Sequence, residues 1–188
     1  WRVTPDQLEK SCIIGKKQKP RILILNYPGN PSGLTYSEEE LEKIANTARK
    51  HNIIILSDEI YGRLDYSDAH ISIARFYPEG TILCSGISKW CAAGGWRLGT
   101  FLFPKQLRWL MDAMVVMASE SYSSVSAPIQ YAAIKAFENK RDTKNKRKNT
   151  MNLYFFKKSQ YTLRLYLKSI LYLSYILDIF LNILSLTQ

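Results

Sequence analysis

Arg21-Ile22-Leu23-Ile24-Leu25-Asn26 and Ile53-Ile54-Ile55-Leu56, the latter ending at Ser57-Asp58-Glu59, are the stretches on which the fold turns. Each is a short apolar run closed by polar residues, the pattern of a buried strand. Between them, Pro28-Gly29-Asn30-Pro31-Ser32-Gly33 is a dense turn signal. Ser37-Glu38-Glu39-Glu40 is a capping-box pattern with Ser37 as N-cap. Leu41, Ile44, Ala45 and Ala48 follow at helical spacing and predict an amphipathic helix to about Lys50. Strand, turn, helix and strand in that order make a βαβ unit, which implies parallel pairing.

The same alternation extends outward. Residues 1–19 are mixed and basic with no clear period, and read as the end of a preceding element. A turn around His70 to Pro78 leads to a third strand at Thr81-Ile82-Leu83-Cys84. A Gly- and Ala-rich loop, Ser85 to Gly95, precedes a fourth strand over Arg97 to Phe103. Pro104 suits the first turn of a helix reaching about Ser119, and a last helix spans Ser126 to Glu138. The fold class is α/β, with a mostly parallel sheet flanked by helices. Loops at strand ends carry Asn30, Asp58 and Lys89, and in such sheets ligands sit at the carboxyl ends of the strands.

Composition divides the chain in two. The 188 residues carry a net charge of +10, but residues 1–138 hold 16 basic and 14 acidic side chains, while 139–188 hold 10 and 2. All nine Gly and all seven Pro precede residue 139. We therefore read 1–138 as the informative domain and 139–188 as a basic, then apolar, tail outside it. The surplus charge belongs to that tail, so it does not make the domain a nucleic-acid binder. Cysteines at 12, 84 and 91 form no disulfide framework or paired metal motif, and two histidines do not supply a His-rich metal site. The chain begins with Trp1 and shows no leader, as expected of a fragment.

Within 1–138 the candidate chemistry lies in three loops. Asp58 follows an all-apolar strand, and a buried carboxylate needs a cationic or hydrogen-bonding partner. Tyr61 shares its orientation if a helical turn starts there. Lys89 sits among small and apolar residues in Gly86-Ile87-Ser88-Lys89-Trp90-Cys91-Ala92-Ala93-Gly94-Gly95-Trp96-Arg97-Leu98-Gly99, with Arg97 eight positions on. No Gly-rich dinucleotide loop and no Ser-His-Asp set is present. A desolvated lysine amine condenses with an aldehyde, losing water to form an imine. A carboxylate keeps a pyridine nitrogen protonated, and an arginine fork holds a phosphate. A phenol and an amide can both hydrogen-bond a ring hydroxyl. Together these are the groups that bind pyridoxal 5'-phosphate.

Residues 20 to about 138 resemble the large-domain core of the class I/II aminotransferases, fold type I of the pyridoxal-phosphate enzymes. The resemblance rests on Asn30-Pro31-Ser32-Gly33, Ser57-Asp58-Glu59-Ile60-Tyr61 and the Gly86 to Gly99 stretch, in family order and spacing. It implies Lys89 as the imine-forming lysine and proton shuttle, Asp58 as partner of the pyridine nitrogen, and Arg97 as a phosphate ligand. Tyr61 and Asn30 are implied to hydrogen-bond the ring hydroxyl. Many relatives have a phosphate-binding serine three residues before the lysine. Here that position is Gly86, leaving Ser88 or Ser85 as the replacement donor.

The implied reaction is amino-group transfer from an amino acid to a 2-oxo acid, with ping-pong kinetics, in a homodimer when the chain is complete. Lyases and synthases share the same kit, and a non-catalytic remnant with a membrane-associated tail is the remaining alternative. The expected location is cytoplasmic. A membrane association would run through residues 169–187, where 13 of 19 residues are apolar but Asp178 is central. The abrupt change after Glu138 is what a frameshift, retained intron or misplaced gene end produces.

Overall fold

The computed structural model describes residues 2–14, 19–65, 70–121 and 123–138, all within one compact unit, Trp1–Thr143. The tail 139–188, with the apolar stretch 169–187, lies outside the described residues. The predicted βαβ unit is present as β1 (Ile22–Asn26), α2 (Glu38–Lys50) and β2 (Ile54–Asp58), preceded by a helix α1 (Pro5–Ile14). Then follow β3 (Thr81–Gly86), β4 (Gly99–Leu102), α3 (Arg108–Ser121) and α4 (Ala127–Glu138).

Helix α2 starts where its sequence directs. The Ser37 hydroxyl accepts from the Glu40 N–H at 3.2 Å, and the Glu40 carboxylate accepts from the Ser37 N–H at 2.8 Å. Both orphan donors are thus satisfied reciprocally. Leu41, Ile44, Ala45 and Ala48 are fully buried against the sheet side of one core, together with Leu25, Ile53 and Ile55. The helix ends on Asn52, whose positive φ of 55° suits the left-handed position after a helix.

Residues 1–19 depart from the sequence expectation, because ten of them form α1. Its start is another capping box: the Thr4 hydroxyl accepts from the Gln7 N–H at 3.2 Å, and Gln7 accepts from the Thr4 N–H at 2.9 Å. Leu8 and Cys12, one helical turn apart, are its buried residues and join the α2 core. The rest of its face is polar, which hid the period. Glu9 adds an ion pair to Lys50 (2.7 Å) and a hydrogen bond to His51 (3.0 Å) at the end of α2.

The sheet runs β1-β2-β3-β4, with the first three strands parallel and β4 antiparallel to β3. The register pairs Asn26 with Asp58 and Asp58 with Cys84, so the carboxyl ends of three strands finish in one row. Instead of an α-helix, short 3-10 turns at Gly62–Leu64, Ile73–Arg75 and Pro78–Gly80 carry the chain from β2 to β3. The fourth strand is shorter than predicted: Arg97 precedes it in a left-handed conformation, φ 56° and ψ 43°. A second core holds Ile87, Trp90, Leu98 and Ala133, beneath α4. Among the described residues no helix is long and apolar enough to cross a membrane.

Leu8→Ala is expected to cost about 3 kcal/mol of unfolding free energy through the cavity it leaves, and the exposed Glu42→Ala within about 0.5 kcal/mol. Urea unfolding followed by circular dichroism checks both. An unaffected Leu8→Ala midpoint would show that α1 does not contribute to the core.

Candidate active site

At the end of β2 the chain alternates faces, so that Asp58 and Glu59 point to opposite environments. Asp58 lies on the side of the strand-end loops. Its carboxylate accepts from the Asn26 amide at 2.9 Å and from the Ile60 N–H at 3.3 Å. Burial pushes its pKa above the usual 3.8, only partly offset by those two donors and by the Lys89 ammonium, while Glu59 adds repulsion. This is a carboxylate in want of a positive donor.

Asn26 does more than cap Asp58. Its Oδ1 accepts from the backbone N–H of Asn30 at 3.1 Å, joining the Asn30 turn to the acid. That turn runs through two cis bonds, Tyr27–Pro28 and Asn30–Pro31, with Gly33 at φ +70°. The sequence signal for Asn26 was its place as the last residue of β1, level with Asp58 once the strands are in parallel register. It was passed over because the register is not written in either strand alone.

Glu59 turns to the other face, into a polar knot. Its carboxylate accepts from His70 Nε2 (2.8 Å), Ser72 (2.7 Å), Ser57 (2.9 Å) and the Tyr27 hydroxyl (3.2 Å). The Tyr27 oxygen in turn accepts from the Ile73 N–H at 2.7 Å. Burial drives the Glu59 pKa up, but the donations from His70, Ser72 and Ser57 outweigh it and leave the pKa below its usual value. The His70 ring packs on Gly62 so closely that a Cβ there would sit 2.8 Å from it. Glu59, His70 and Gly62 thereby fix the turn that carries Tyr61. Among the described residues His70 bonds the Glu59 carboxylate, and its place in this knot is structural.

Lys89 approaches from the loop after β3. Its Nζ stands 5.5 Å from the centroid of the Tyr61 ring, within cation–π range, and its charge acts on Asp58. Asp58, Tyr61 and Lys89 are therefore brought together, and Asn30 is tied to them through Asn26. Cys84 lies in the same strand-end row, but burial and the Asp58 charge push its thiol up to about 12. It stays protonated and is no nucleophile at neutral pH.

The two phosphate candidates are placed differently. Arg97 is exposed and its guanidinium donates to the Gly94 carbonyl at 2.8 Å, within its own loop. Ser88 is half-buried on the same loop as Lys89. At Gly86, the position where the resemblance leads one to expect serine, a Cβ would lie 2.6 Å from the Leu98 carbonyl oxygen and 3.1 Å from Gly99 Cα. The antiparallel approach of β4 admits only glycine there.

A protonated ring nitrogen is the partner that Asp58 lacks, and Lys89 offers an amine close by. The donor set thus fits pyridoxal phosphate on the side of the ring and the aldehyde. Chemically, the arrangement can hold a cationic heterocycle against Asp58 and present an amine to its carbonyl substituent.

The chain is similar to known proteins of one family. The family model described as aminotransferase class I and II matches residues 1–178, a span that runs past Glu138. The asparagine–oxo-acid transaminase of Streptococcus mutans is 37% identical over 147 residues, 76% of this chain and 36% of that protein. The aspartate aminotransferase of Geobacillus stearothermophilus is 37% identical over 141 residues, 73% of this chain and 34% of that one. The structure of Thermus thermophilus aspartate aminotransferase with maleate superposes with a TM-score of 0.70 at 29% identity, over 84% of this chain and 39% of that chain. The chain thus spans about a third of the length of these curated relatives.

Gly86→Ser is expected to destabilise the chain by about 1–3 kcal/mol, because β4 must yield to the new Cβ. A thermal midpoint equal to the parent's would refute the close approach. Glu59→Gln should cost about 2 kcal/mol at neutral pH, where the depressed carboxylate contributes fully. Since the folded pKa is lowered, that contribution is lost as pH falls below the ordinary 4.5 and through the folded value. Urea midpoints taken from neutral pH downward should converge for the two proteins.

Proposed function

The chain belongs to the class I and II aminotransferase family, and from that premise we propose that it is the cofactor-binding core of a pyridoxal-phosphate-dependent transaminase. The observation that carries this reading is the half-buried Asp58 carboxylate, held by Asn26 and the Ile60 N–H, with the Lys89 charge acting on it and Lys89 Nζ 5.5 Å from the Tyr61 ring. When bound, pyridoxal phosphate supplies an electron sink for the electrons left by deprotonation next to a nitrogen.

The chain's own residues would serve it as follows. Asp58 holds a proton on the ring nitrogen, which keeps the heterocycle cationic. Tyr61 and Asn30 hydrogen-bond the ring hydroxyl. Arg97 neutralises the phosphate and Ser88 donates to it. Arg97 does so by exchanging its bond to the Gly94 carbonyl for a paired charge-assisted contact. Lys89 would hold the cofactor through its Nζ, and the same amine would take the proton from the substrate α-carbon as general base. The complete reaction moves an amino group from an amino acid to a 2-oxo acid, in a cytoplasmic homodimer. In this reading residues 1–138 form the functional domain and 139–188 lie outside it.

Two substitutions test it. Lys89→Ala should abolish the absorbance of lysine-bound pyridoxal phosphate, and a persistent band would sink the assignment. Asp58→Asn should weaken cofactor binding and yet stabilise the cofactor-free chain at neutral pH. Its folded pKa is raised, so the native state favours the protonated acid. Its contribution is complete below the ordinary 3.8 and is lost as pH rises through the folded value. An amide escapes that loss. Thermal midpoints of the cofactor-free proteins across pH, with pyridoxal-phosphate titrations, read both effects.

A further inference from the structure

Two cations and two aromatic rings cross between the turn after β2 and the loop after β3. Lys89 Nζ stands 5.5 Å from the Tyr61 ring centroid, and the Arg63 guanidinium carbon stands 4.5 Å from the Trp90 centroid. Each loop thus contributes one cation and one ring, two positions apart in the first loop and adjacent in the second. Arg63 also covers the Phe137 ring of α4 at 5.0 Å, and the Trp90 and Phe137 rings are 5.3 Å apart.

Trp90 is the fixed point of this arrangement. It is 5% exposed, and its indole N–H donates to the Gly86 carbonyl at 2.7 Å, closing the loop on the end of β3. The residue before it is Lys89, so whatever immobilises the indole also immobilises the backbone from which the lysine reaches out. Arg63 is solvent-exposed yet stacked on that indole, and it lies two residues beyond Tyr61. A shift of either loop relative to the other must break the Arg63–Trp90 pair along with the Lys89–Tyr61 pair.

We infer that Arg63 and Trp90 are positioning residues for Lys89, a cation–π clasp that holds the lysine over the Tyr61 face. The inference rests on the reading of Lys89 as the lysine that attaches the cofactor. Arg63 stacks on Trp90 and Phe137. Its effect passes through Trp90 to the lysine, and through its own turn to Tyr61.

The test uses the full chain in four forms: parent, Arg63→Ala, Arg63→Lys and Lys89→Ala. Each is titrated with pyridoxal phosphate, trapped with borohydride and digested, and the modified peptide is quantified by mass spectrometry. Thermal midpoints are measured without cofactor. Arg63→Ala is expected to need about tenfold more cofactor for half-modification of Lys89, at a midpoint equal to the parent's. Arg63→Lys, which keeps a cation over the ring, is expected to recover most of that loss. Half-modification of Arg63→Ala at the parent's concentration overturns the inference. So does a loss of affinity that tracks a lowered midpoint and is not recovered by Arg63→Lys, since that is a merely structural role. Failure of the underlying reading has a different signature: Lys89→Ala carries the same adduct as the parent, or the parent carries none.

Discussion

A carboxylate partly withdrawn from water at the end of a central strand is the constraint around which this domain is arranged. Asp58 needs partners there, because withdrawing a charge from water costs free energy unless hydrogen bonds or an opposite charge offset it. Its neighbours answer in order: the Asn26 amide from β1, the Ile60 N–H from its own turn, and the Lys89 charge from the loop after β3. These still leave its pKa raised. That residual deficit is stability forgone by the cofactor-free chain, and it is the kind of deficit that a cationic ligand relieves.

The next residue, just past the strand end, shows the contrast. Glu59 is also a partly buried carboxylate, one peptide unit away on the other side, but four donors surround it and its pKa falls. One acid is fully satisfied and braces the turn, while the other is left partly unsatisfied and faces the strand-end loops. The difference comes from the opposite directions in which the two side chains leave the strand end and from the His70 and Ser72 donors that meet only Glu59. Satisfaction on one face and deficit on the other separate structure from chemistry within two residues.

The βαβ unit and its helix boundaries were legible in the sequence, because the signals are local. A serine three residues before a glutamate caps a helix wherever it occurs, and Leu41, Ile44, Ala45 and Ala48 define a face by spacing alone. Asp58, Tyr61 and Lys89 could be singled out by type and by position after strands. Helix α1 was missed although Thr4-Pro5-Asp6-Gln7 is itself a cap, because only Leu8 and Cys12 of its length are buried and no period emerges from two residues. The strand assigned from Arg97 also failed locally: Arg97 adopts a left-handed turn before β4, which an apolar count does not reveal.

By itself, then, the sequence determined which elements form and which residue types stand at their ends. Periodicity, capping and turn chemistry act over a few residues and need no partner. Only the tertiary structure decided what meets at those ends. Parallel register put Asn26 beside Asp58, and the antiparallel return of β4 made Gly86 obligatory by bringing a carbonyl to where a Cβ would be. The crossing of two loops stacked Arg63 on Trp90. Those contacts join residues far apart in the chain, and their energies depend on distances that no local pattern encodes.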